Sequence, residues 1–130
     1  MANIAAYAEK AMLDWVLGGA TPTRPTVWGV GLSLGAPTSV SGSEIGTDSG
    51  YTRQTVVFNA AASPAGSASN SGAMTFGPFS TAQSISGLLV TDTLATAGNM
   101  LWYGTLATAR TVGPGDSLVV AAGSVLITLA

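Results

Sequence analysis

The sequence predicts a mainly β protein, an antiparallel β-sandwich of jelly-roll-like type with one N-terminal α-helix. Three observations lead there. The apolar period is helical, near 3.6, over the first seventeen residues and switches to 2 from residue 26 onward. Roughly seven short apolar runs then follow, separated by glycine- and proline-rich turns. No second helical stretch falls among them, which argues against strands linked by helical crossovers.

At the N-terminus, Asn3 is placed to cap a helix with its side-chain oxygen. Ile4, Ala8, Ala11, Met12 and Trp15 recur at helical spacing as one apolar stripe, with Tyr7 on its edge. Glu9, Lys10 and Asp14 take the other side, but Leu13 and Leu17 lie there too. A helix this short cannot hide both faces against one small domain. It either lies over the domain's own core or docks on a neighbouring subunit. The candidate assembly residues are Ile4, Tyr7, Ala8, Met12, Trp15 and Leu17. Gly18-Gly19 supplies the left-handed stop. Residues 1–19 therefore form a helical arm, residues 20–25 a linker stiffened by Pro22 and Pro25, and residues 26–130 the sandwich domain.

The first strand puts Trp28, Val30, Leu32 and Leu34 on one face, opposite Val27, Gly29, Gly31 and Ser33. Glycines on that second face admit close approach by another backbone or a bulky side chain. A polar loop runs from Gly35 to Gly50, and Tyr51 to Phe58 is the next strand, with Val56 and Phe58 on one face. Asn59 to Gly72 is a long loop or, near its end, a weak edge strand. Ala73 to Phe76 is a short strand closed by Gly77-Pro78, and the pattern from Phe79 to Ser86 is ambiguous. Leu88–Thr91 and Met100–Leu106 are strands, the second preceded by the turn signal Gly98-Asn99. Gly113-Pro114-Gly115-Asp116 has proline and glycine at the central positions of a type II turn. Leu118 and Val120 follow, Gly123 turns the chain, and Val125, Ile127 and Leu129 alternate inward in what should be an interior strand.

Composition narrows the function. The 130 residues suffice for one domain and are 47% apolar, yet only 8% are charged, where about 25% is usual. An exterior of small neutral groups favours contact with other protein. Without histidine or cysteine there is no imidazole base, thiolate nucleophile, disulfide or cysteine–histidine metal site. Four cations form no basic stripe, which argues against nucleic acid as a partner. The mean hydropathy is +0.45, but the apolar C-terminal run from Leu118 to Ala130 is shorter than the roughly 17–25 residues of a membrane-spanning helix. No signal-peptide pattern opens the chain, so neither membrane nor export is expected.

Candidate sites for chemistry are sparse. Gly29-Val30-Gly31 with Gly35 has neither the spacing nor the following helix of a phosphate loop. Glu44 and Asp48 could hold calcium with loop carbonyls, although such sites usually recruit six to eight oxygens. Lys10 would have to serve any Ser–Lys dyad from within the helix. Arg53 shares a strand face with Tyr51 and is expected to meet a carboxylate, Asp92 or Asp116, or backbone carbonyls. Trp102 and Tyr103 point to opposite faces of one strand.

Several segments together resemble a known family: Trp28 to Leu34, Gly50-Tyr51-Thr52-Arg53-Gln54, and Ser69-Asn70-Ser71-Gly72-Ala73-Met74-Thr75-Phe76. Gly98-Asn99-Met100-Leu101-Trp102-Tyr103-Gly104, Gly115-Asp116 and Ala122 to Leu129 complete the set. Over residues 26–130 the chain resembles small virion structural proteins of tailed bacteriophages, of the capsid decoration (cement) or tail-fibre type. The resemblance implies no catalytic residues, cofactor or metal. It makes a cement protein the leading expectation, an oligomer, expected to be a trimer, on the outer capsid surface after assembly in the bacterial cytoplasm. Its partners would be its own copies and the major capsid protein or other virion proteins. The alternative is a tail-associated fibre or adhesion module, with Tyr51 and Tyr103 as sugar-stacking rings. A glycosidase would need Glu44 paired with Asp48, Asp92 or Asp116 across a cleft.

Overall fold

Residues 83–112 form the backbone of the fold as two long antiparallel strands. In the computed structural model, which describes residues 3–46, 49–62 and 66–128, these are β6 (Gln83–Thr91) and β7 (Met100–Val112). Before them come β1 (Asn3–Ile4), α1 (Ala6–Leu17), β2 (Gly29–Ser33), β3 (Gln54–Thr55), β4 (Ser67–Ser69) and β5 (Met74–Phe76). After them come β8 (Leu118–Val120) and β9 (Leu126–Thr128). One five-stranded antiparallel sheet has the order β1-β7-β6-β2-β3, and two ribbons pair β4 with β9 and β5 with β8. The chain is mainly β with one N-terminal helix, as predicted.

A single core joins these layers. Val30 and Leu32 from β2 and Ile85 and Val90 from β6 meet Met74 and Phe76 from β5, Ile127 from β9 and Val125 just ahead of it. Tyr51 and Phe79 fill the space between. The second layer of the sandwich is thus two ribbons rather than one sheet: the chain turns at Gly123 between β8 and β9, but β8 pairs with β5 and β9 with β4. The alternation at Val125 and Ile127 is inward, as expected, while Leu129 lies outside the described residues.

β2 is buried at all five positions, so both faces of the sheet are covered here. The polar segment from 35 to 46 folds over the outer face, bridging Ser33 to Glu44 and placing Gly42 against Leu89. Gly31 shows why its face is bare. A Cβ there would stand 2.7 Å from Glu44 Oε1 and 2.8 Å from the Tyr51 hydroxyl. At the far end, Gly115 has φ of 84° and Asp116 N–H donates to Gly113 O at 3.0 Å, closing the predicted type II turn.

Four expectations need correction. Asn3 is not a helix cap: Asn3 and Ile4 pair with Tyr103 and Trp102 as β1, and Ala5 holds the cap position without a side-chain hydrogen bond. The free edge of β7 offers those backbone groups a full set of partners, which outweighs one capping bond. The last strand is not interior, since β9 pairs with β4 alone among the described residues. Tyr51–Phe58 is regular only at Gln54–Thr55, and Leu34, beyond the end of β2, is exposed rather than inward. The ambiguous stretch before Ser86 continues β6 from Gln83.

Candidate functional site

The arm is held to the sheet through small residues. Ala5 N–H donates to Leu101 O at 2.9 Å, prolonging the contact that β1 makes with β7, and Ala6 N–H donates to Ser39 O of the 35–46 segment at 3.0 Å. Ala5 and Ala8 are buried, and their lack of bulk lets α1 lie close to the strand. At its other end α1 stops at Gly18, φ 78°, as the double glycine predicts. The chain then returns through Pro22 and Pro25 toward β2.

Between helix, linker and sheet lies an open trough of about 420 Å³. Tyr7, Met12 and Trp15 line it from α1, with Arg24 from the linker and Trp28 and Trp102 opposite. The Arg24 guanidinium sits 5.4 Å from the centre of the Trp28 ring, a cation–π contact. Arg24, Trp28 and Trp102 also wall a second hollow of about 510 Å³ that runs toward Phe58. All three tryptophans of the chain border this surface.

The helix has a second apolar side. Leu13, Val16 and Leu17 stand 60%, 68% and 76% exposed and, with Glu9, fall on the side of α1 away from the trough. Six candidate assembly residues are therefore divided. Tyr7, Ala8, Met12 and Trp15 share the trough side, Ile4 is in β1 beside Trp102, and Leu17 is on the far side. Val16, Arg24, Trp28 and Trp102 join these surfaces from outside that set. The i, i+3, i+4 spacing of Leu13, Val16 and Leu17 was a readable signal for the far side, whereas the trough requires the return path of the linker.

The polar candidates converge elsewhere. Arg53 makes a two-pronged pair with Glu44, Nε to Oε1 at 2.8 Å and Nη2 to Oε2 at 2.6 Å, with side chains only 6% and 16% exposed. Its remaining donors reach the carbonyls of Thr93 (3.1 Å), Ala95, Thr96 (3.3 Å) and Ala97 (3.2 Å). The carboxylate is thus Glu44, not Asp92 or Asp116, and the expected backbone carbonyls come as well. Tyr51 donates its hydroxyl to Glu44 Oε1 at 2.6 Å and accepts Leu32 N–H at 2.9 Å. Burial, reinforced by the Glu44 hydrogen bond, pushes its phenol far above the usual range, while the same carboxylate raises Arg53.

The other groups singled out in the sequence are engaged within the fold. Tyr51 is 1% exposed and stacks on Phe76 with ring centres 6.1 Å apart, so it offers no sugar-stacking face; Tyr103 is half-buried. Asp92 accepts Asn99 N–H and Nδ2 at 2.8 Å each, and Asp116 accepts Gly113 N–H at 2.8 Å, each closing a turn. Lys10 pairs with Asp14. Asp48 lies outside the described residues, among which no cluster of three or more acidic ligands occurs. No helix is long and apolar enough to cross a membrane among the described residues.

Comparison with known sequences sets this build, a β-sandwich with an apolar arm, among structural proteins of the bacteriophage virion. The model of the podophage GP4 fiber I protein gp80 family matches residues 3–128, and the chain belongs to that family. The match takes in the arm, which the resemblance over residues 26–130 had left out. No curated protein matches the chain.

Proposed function

We propose that this protein is a non-enzymatic subunit of the podophage tail fibre, rather than a cement protein of the capsid. The observation that carries the reading is a fibre-family match running through arm and domain together. The deployment of charge supports it: Glu44, Asp92 and Asp116 are each committed to internal hydrogen bonds, and the cations form no stripe. Such a subunit needs repeated surface contacts rather than reactive groups. Its partners are its own copies and neighbouring virion proteins, met through α1 and the trough.

Gold-labelled antibody against the protein, applied to intact particles, tests the placement. Label at the tail is expected; label over the head would replace the fibre with the cement reading.

A further inference from the structure

We infer that α1 mediates head-to-tail self-association, the Glu9–Leu13–Val16–Leu17 ridge of one copy entering the aromatic trough of the next. The two surfaces lie on opposite sides of one helix, one convex and one concave, and both are apolar. Their charges are complementary. The ridge carries Glu9, the trough carries Arg24, and neither has an ion-pair partner among the described residues. Two different, matching patches on one chain make a heterologous contact, which closes into a ring or propagates as a filament. A second copy is therefore the occupant that this surface fits.

This contact deepens the fibre-subunit reading and builds on its assembly role, and the two fail separately. An oligomer whose label sits over the head would keep the contact and remove the fibre placement. A monomer labelled at the tail would do the reverse.

Sedimentation velocity on the full chain tests the contact. Wild type is expected to sediment as an oligomer at high micromolar concentration. Leu13→Gln with Leu17→Gln removes the ridge and Arg24→Glu reverses the trough charge, each weakening association by about tenfold or more. All these positions are exposed, and far-UV circular dichroism should show both variants folded. An equimolar mixture of the two has one good ridge and one good trough, and should form a dimer and nothing larger. The charge-swapped chain, Glu9→Arg with Arg24→Glu, should regain the wild-type size. A monomeric wild type, a mixture that fails to pair, or a charge swap that fails to restore assembly would each overturn the inference.

Discussion

Between β2 and β3 the chain is polar yet buries its charges, while ahead of β2 it is apolar yet exposes its largest side chains. In the first region Glu44, Tyr51 and Arg53 satisfy one another, and the guanidinium also gathers the carbonyls of the 93–97 loop. In the second, Trp15 and Leu17 find no cover among the described residues. Buried polar groups and exposed apolar patches are the two departures from ordinary burial that carry information. The polar region fixes one internal geometry; the apolar arm is built to meet something outside. Substitutions should therefore cost folding in one region and assembly in the other.

The largest loss is expected at the ion pair. Arg53→Ala strands the Glu44 carboxylate in a poorly solvated site and frees the 93–97 carbonyls, at a cost of about 3–5 kcal/mol. Urea unfolding of the purified chain measures it, and Arg53→Lys should recover only part because one ammonium cannot reproduce the fork. Asn70 comes next. It is fully buried, donates to Gly72 O at 2.8 Å and Ala121 O at 3.0 Å, and accepts Val125 N–H at 2.9 Å. Asn70→Ala leaves those groups unpaired and should cost roughly 2–3 kcal/mol in the same experiment. A loss below about 1 kcal/mol at either site would erase the contrast, since surface changes cost as little.

Tyr51→Phe should cost less, roughly 1–2 kcal/mol, mostly from the Leu32 N–H left without its acceptor. It also changes the response to base. The folded phenol is raised above its ordinary value of about 10, so above that pH the unfolded chain releases a proton that the folded chain keeps. Stability present below about pH 10 is therefore lost as the pH rises further. Urea midpoints taken on either side of that pH should diverge in wild type, and the Tyr51 share of the difference should vanish in Tyr51→Phe.

What the sequence makes legible is whatever depends on near neighbours. Gly113-Pro114-Gly115-Asp116 determines its turn through φ preferences alone, and Gly18-Gly19 ends the helix by the same means. The opposition of Trp102 to Tyr103 follows from strand geometry, with Trp102 packed toward the core. Long-range pairing is where local reading stops. Asn70 sits in a stretch of small polar residues that reads as loop, and its burial depends on partners 51 and 55 positions away. Asn3 looks like a cap because capping is local, while the β7 edge that claims it lies a hundred residues downstream in register with Tyr103. Arg53 in so uncharged a chain points to a carboxylate partner, but choosing Glu44 over Asp92 or Asp116 needs the fold of the 35–46 segment over β2. The trough is hidden for the same reason: its tryptophans come from three separate segments.

The smallest effect on folding, and the one that divides the two regions most sharply, is expected at Trp15. A tryptophan buried in a core typically costs about 3–5 kcal/mol when cut to alanine. Trp15 is 68% exposed at the rim of the trough, so Trp15→Ala should change urea stability by less than about 1 kcal/mol. Its contribution lies in the wall that it gives the trough, opposite Trp28 and Trp102. Sedimentation of the same variant should therefore show weakened self-association from a chain that unfolds almost as wild type does. A multi-kilocalorie loss of stability would instead assign α1 to the interior of its own domain. The arm would then belong with the Glu44–Arg53 region as part of what holds the fold, and its exposed ridge alone would remain for a neighbour to bind.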